Sequence, residues 1–154
     1  MFITTHAALG ALIAQQMPEH PYVAFIIGLA SHFVSDMIPH GDTNLYKLYI
    51  SGRKVKRSIA YSVIDGVLAI FFVIFMLNTV HNGARLAFSL GMIGGVLPDL
   101  IVGVYEVFKY RWLRKLHRFH FYFHNLISHK HDMSFAAGFS MQVVFLAGLL
   151  SIIF

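Results

Sequence analysis

The stretch from Ser58 to Val80, SIAYSVIDGVLAIFFVIFMLNTV, holds one charged side chain, Asp65. A helix crosses a hydrocarbon core with about 20 predominantly apolar residues, so a stretch of this length and composition suits lipid better than water. Ala84 to Phe108 and Met133 to Phe154 have the same character. Tyr22 to Ile38 is shorter and turns polar near its end; Phe2 to Met17 is the weakest, paired with its successor by the tight turn that Pro18 and Pro21 mark. The whole chain agrees, with 57% of its 154 residues hydrophobic and 12% charged, against about a quarter charged in soluble domains. Its mean hydropathy is +0.66. These features predict an all-α fold, a polytopic membrane helical bundle of about five transmembrane helices plus an interfacial helix, in a single membrane-embedded domain over residues 1–154. The first segment lacks the basic start of a secretory leader and carries His6 in its place, so it is read as part of the fold.

The basic residues set the expected orientation. Lys47, Arg53, Lys54, Lys56 and Arg57 fill the connection between the second and third apolar segments, and Lys109, Arg111, Arg114, Lys115, Arg118 and Lys130 fill that between the fourth and fifth. Both connections fall on one side of the membrane, which the positive-inside rule assigns to the cytoplasm. The expectation is a multi-pass protein of the cell (inner) membrane with its N-terminus cytoplasmic and its C-terminus outside. The net charge of +5 then reflects topology and attraction to anionic headgroups, so membrane lipids are the expected partners and nucleic acid is not. Tyr105 to Phe123 interleaves Trp112, Phe and Tyr with Arg and Lys, the composition of a helix lying along headgroups.

Ionisable groups at membrane depth are costly and mark a functional interior. His6 begins the first segment; His32 and Asp36 lie four apart at the end of the second, on one helix face. Pro39 stops that helix, and His40 and Asp42 turn out just beyond it. Asp65 is about two turns into the third segment, Asp99 follows Pro98 where a helix break is expected, and His124 and His129 precede the last segment. All fall toward the cytoplasmic face. The chain has no cysteine, so imidazole nitrogen and carboxylate oxygen are the ligands on offer, a set that suits Zn²⁺, with Mn or Fe as alternatives. His6, His32, Asp36, Asp99, His124 and His129 are the expected ligands of one or two divalent ions. Asp65, His40 and Asp42 are the expected catalytic groups, as bridging carboxylate, additional ligand or general base. His117, His120 and His131 sit among Arg and Lys and are expected at the headgroups, while His20 and His81 fall on the opposite face. Gly91, Gly94 and Gly95 predict close helix packing. Two other readings use the same residues: a divalent-cation or proton transporter, and a structural subunit whose His/Asp pairs only glue helices.

The motifs also resemble a family. GLASHFVSD from Gly28 to Asp36 with Pro39-His-Gly41, Leu97-Pro-Asp99, HNLISH from His124 to His129, and Thr5-His6 are similar to elements of the membrane-bound, predicted metal-dependent hydrolases related to the LexA-regulated inner-membrane protein YdjM. That family shows an early Thr-His, LPDxDH, HRxxTHS and GxxSHxxxD. The order differs here, LPDLIV lacks the second Asp and the His of LPDxDH, and Asn125 stands where the family has Arg. His40 and Asp42 are available to replace the missing ligands. The resemblance implies a zinc-dependent, phospholipase C-like hydrolase acting on a phospholipid-like or other amphiphilic (phospho)ester.

Overall fold

A computed structural model describes residues 1–131 and 133–154; the side chains of residues 43–45 and 128–131 lie outside the described ones. All regular structure among the described residues is helical: α1 (Ile3–Gln16), α2 (Pro21–Asp36), α3 (Thr43–Ile50), α4 (Val55–Thr79), α5 (Arg85–Phe108), α6 (Arg114–His131) and α7 (Phe135–Ile153). Short 3-10 turns, Asn82–Ala84 and Arg111–Leu113, lead into α5 and α6.

Three helical segments are long and apolar enough to cross a membrane: Val55–Thr79, Asn82–Phe108 and Phe135–Ile153. This corrects the expectation of five spans. α1 and α2 have 14 and 16 residues; at a rise of ~1.5 Å per residue they reach roughly 21 and 24 Å, short of a hydrocarbon core of about 30 Å. Pro18 and Pro21 close one end of this pair and Pro39 limits the other. α5, in contrast, runs unbroken through Pro98, so the helix break expected before Asp99 does not occur.

The α1–α2 hairpin is inserted beside α5 with its turn level with the α4–α5 connection. Met17, Val80 and Ala84 pack on one apolar cluster built of Ala11, Ala14, Ala24, Met76, Ala87, Phe88 and Met92, and Gln15 Nε2 donates to the Ile153 carbonyl at 3.1 Å at the far end of α7. The open end of the hairpin stops part-way along α4 and α5. There α1 begins without a side-chain cap of its own, and Asp65 of α4 supplies one, accepting from the amides of Ile3 at 2.6 Å and Thr4 at 3.2 Å and from Thr4 Oγ1 at 2.8 Å. A carboxylate at a helix N-terminus satisfies orphan donors and complements the helix dipole. Gln142 Oε1 of α7 accepts from Phe2 N at 2.6 Å. The space above the hairpin is closed by α6 and the segment that follows α2.

Backbone contact between α1, α2 and α5 rests on glycines. A Cβ at Gly10 would collide with the Gly91 carbonyl, one at Gly28 would lie 2.5 Å from the same oxygen, and one at Gly95 would collide with the His6 carbonyl. Gly94 packs against the Phe25 carbonyl in the same way. Small residues at helix crossings let main chains approach where a side chain would hold them apart. Gly66 of α4, by contrast, faces open space.

Overpacking this crossing is therefore costly. Gly91→Ala, whose Cβ would sit 2.5 Å from the Gly10 carbonyl, is expected to destabilise the protein by about 2 kcal/mol or more, while Gly66→Ala should leave stability unchanged or raise it by up to about 1 kcal/mol. Thermal unfolding of the two variants in the same detergent measures the difference.

Candidate metal centre

The glycine crossing fixes where α2 and α5 bring their polar residues. His32 and Asp36 project from the last turns of α2, one turn apart, with His32 Nε2 at 3.2 Å from Asp36 Oδ2. Asp99 comes from α5, its Oδ1 at 3.8 Å from His32 Nε2. His120 of α6 completes the set, its Nε2 at 3.7 Å from Asp36 Oδ2 and 3.9 Å from Asp99 Oδ1. One ligand atom from each of these four residues lies within 4.8 Å of all the others. His6 flanks them, with Nε2 at 3.0 Å from Asp36 Oδ1 and 3.8 Å from Asp99 Oδ2, and its ring packed on His32 at 4.0 Å.

A second group stands alongside. His40 and Asp42 follow α2, and His124 lies one turn after His120 on α6. His40 Nε2 is 3.0 Å from Asp42 Oδ2, and His124 Nε2 is 3.1 Å from Asp42 Oδ1. The Met1 ammonium is 2.6 Å from Asp36 Oδ1 and 2.8 Å from His40 Nε2, so a single cationic nitrogen touches both groups.

The ring tautomers follow from the partners of the other nitrogens. His32 Nδ1 donates to the Gly95 carbonyl at 2.7 Å, and His40 Nδ1 donates to the Ile38 carbonyl at 2.6 Å. Ser35 Oγ spends its proton on the Ser31 or His32 carbonyl, at 2.9 and 3.0 Å, and accepts from His6 Nδ1 at 3.3 Å. In each neutral ring the lone pair is then on Nε2, the atom that faces the carboxylates. His120 Nδ1 also lies 3.3 Å from His32 Nε2. Lone pairs of nitrogen and carboxylate oxygen set against each other need a positive charge between them, either a proton or a metal ion. Metal-bound histidines characteristically donate their other N–H to a carbonyl or similar acceptor, as these do. Asp36 Oδ2, Asp42 Oδ1 and Asp99 Oδ2 are buried and face imidazole Nε2 atoms at 3.2, 3.1 and 3.8 Å. Burial pushes the His120 imidazole down to about 3, more than the nearby Asp36 charge offsets, and the neighbouring His32 and His124 push it the same way; a neutral imidazole is the form that ligates. The donors fit a divalent ion of the zinc type.

Most of the residues singled out from sequence gather here: His6, His32, Asp36, Asp99, His40, Asp42 and His124 all lie in or against the two groups. Asp65 does not. Its carboxylate is taken up by the first turn of α1, which makes it a cap rather than a catalytic group. The side chain of His129 lies outside the described residues, as does that of His131. His120 corrects the headgroup expectation in the other direction, since it is 5% exposed and belongs to the first group. Its spacing of four from His124 repeats that of His32 and Asp36, which is the signal that would have found it. His117 is bound to Glu106, its Nε2 at 2.9 Å from Oε1. No protein-family profile, curated protein or solved structure matches this chain.

The aspartates of α2 and α4 should separate cleanly. Asp36→Ala, like His32→Ala, is expected to abolish bound metal while the protein still inserts in the membrane. Asp65→Ala should keep its metal and lose about 1 to 3 kcal/mol of stability, the cost of leaving buried donors unpaired. Elemental analysis and thermal unfolding of the purified variants read the two effects independently.

Proposed function

We propose that this protein is a membrane-embedded, metal-dependent hydrolase that acts on a phospholipid-like or other amphiphilic (phospho)ester at the cytoplasmic face. The observation that carries the reading is the convergence of two sulfur-free His/Asp groups at one end of an apolar helical bundle, with Nε2 atoms held toward carboxylates by Nδ1 partners.

The bundle suits lipid. α4 buries only Ser58, Ala69 and Met76 and presents Ile59, Ile64, Phe71 and Phe75 outward, each at least half exposed. An uncovered apolar face of that extent calls for an apolar solvent. α4, α5 and α7 then span the membrane, and the α1–α2 hairpin, its turn toward the opposite face, has its open end beneath the site. The basic residues from Lys47 to Arg57 and from Lys109 to Arg118 lie at the start of α4 and the end of α5, which is also the end that carries the His/Asp groups. Positive-inside places that end in the cytoplasm and the end of α7 outside. Along α6, Leu116, Phe119, Tyr122 and Leu126 are exposed while His120 and His124 face the site, so the helix can rest on the lipid boundary and cover the centre from above.

A zinc-type ion held here would supply Lewis acidity and a nucleophile at neutral pH. The chain's own part is to hold the ion with His32, Asp36, Asp99 and His120, and to keep His6 as a flanking ligand. His40 and Asp42 flank this centre and are the candidates for additional ligand or general base. Lys47 and Arg118 line one groove between α3 and α6 together with Tyr46, Phe121 and Tyr122, a combination that suits an anionic headgroup joined to an apolar tail. The motif resemblance to membrane-bound metal-dependent hydrolases points the same way.

A transporter would place ligands near the midplane with access from both faces, whereas these sit toward one end. The test uses the purified full chain in detergent. Bound zinc-type metal, together with chelator-sensitive release of the headgroup from phosphatidylglycerol in mixed micelles, is expected. Absence of metal favours the structural subunit, and metal with no hydrolysis but with Zn²⁺ uptake in proteoliposomes favours the transporter; either result overturns the proposal.

A further inference from the structure

The His40–Asp42–His124 group shares no residue with the group of His32, Asp36, Asp99 and His120, and the two differ in kind. The first offers four donors and two carboxylates; four nitrogen and oxygen ligands complete a tetrahedral zinc-type ion, and two carboxylates neutralise it. Among the described residues the second offers three donors and one carboxylate. With these three alone, the fourth position of a tetrahedral ion is left for an outside ligand, and a divalent ion keeps one unit of positive charge. The exposures agree. The side chain of Asp36 is 1% exposed and that of Asp99 18%; in the second group His40 and His124 are buried at 1% and 6% while the Asp42 side chain is 39% exposed, so access to this group is by way of Asp42.

This group is also built rather than incidental. Gly41 takes a left-handed turn at φ 82, a conformation other residues seldom adopt. A Cβ there would lie 2.8 Å from the Ser134 carbonyl, and Gly138 of α7 packs directly on the His40 carbonyl. Gln142 Nε2 donates to that same carbonyl at 3.2 Å, and His40 Nδ1 is tied to Ile38 at 2.6 Å. α7 and the turn together fix the His40 ring before any ligand arrives. The ring meets that of His124 edge-on at 4.9 Å, and Asp42 Oδ1 is buried and faces His124 Nε2 at 3.1 Å.

We infer that His40, Asp42 and His124 hold a second divalent cation, more weakly bound and more exchangeable than the first, whose open position takes an anionic oxygen of the ester class. The inference rests on the metal-centre reading above and adds a division of labour to it: the enclosed group holds a resident ion, and the open group holds the ion that meets the substrate.

Titration of the metal-free full chain in detergent with Zn²⁺, and with Co²⁺ followed by absorption, tests it. Wild type is expected to bind two ions in two steps about tenfold or more apart in affinity, with brief dialysis against a chelator removing one. Asp42→Asn and His124→Gln should each bind one ion, at the affinity of the tighter wild-type step and with unchanged circular dichroism. A wild type that binds one ion in a single step, or an Asp42→Asn variant that still binds two, overturns the second site and leaves the first standing. A wild type that binds none overturns both. Should the variants fail to fold, the number of steps in the wild-type Co²⁺ titration decides.

Discussion

The backbone contact of α1, α2 and α5 at Gly10, Gly28, Gly91 and Gly95 governs the geometry of everything polar in this protein. Without side chains at those positions the helices approach until main chain meets main chain, and His6, His32 and Asp99 are drawn inward from three different helices. The His32 ring can donate to the Gly95 carbonyl only because α2 lies that close to α5. A crossing spaced by larger residues would leave the imidazoles and carboxylates too far apart to share an ion. Packing and ligand geometry are thus one constraint, expressed at the same glycines.

The second determinant is the shortness of the hairpin. α1 and α2 are a turn or two shorter than a membrane span, and the missing length is where the site lies. Asp65 fits this arrangement. A helix that starts inside an apolar bundle leaves amide donors without water, and a carboxylate borrowed from the neighbouring span satisfies them. His40 and Asp42 occupy the turn that follows, held in place by Gly138 and Gln142 of α7, so the same gap that demands a cap at α1 also provides room for the second donor group.

Much of this was legible in the order of residues. The apolar runs at Ser58–Val80, Ala84–Phe108 and Met133–Phe154 fix three long helices whatever their neighbours, because length and composition alone match a hydrocarbon core. The spacing of His32 and Asp36 fixes their common face through helix geometry, and the absence of cysteine limits any metal to nitrogen and oxygen ligands. The placement of polar residues toward one end was readable too, since it depends only on counting along each apolar run.

Tertiary structure decided the rest, for reasons that are not local. Whether a 14-residue segment spans or stops short depends on what caps its start, and that cap comes from Asp65, some sixty residues away in the chain. Whether His120 meets headgroups or a buried carboxylate depends on how α6 is rotated over α2 and α5, which a stretch rich in both basic and aromatic residues leaves open. Asp99 lies in the first His/Asp group although α5 absorbs Pro98 without breaking. The sequence by itself determined the three long apolar helices and the end of the bundle toward which most ionisable residues lie. Only the fold determined which of them share a point in space, because that depends on glycine contacts and borrowed caps between segments far apart in the chain.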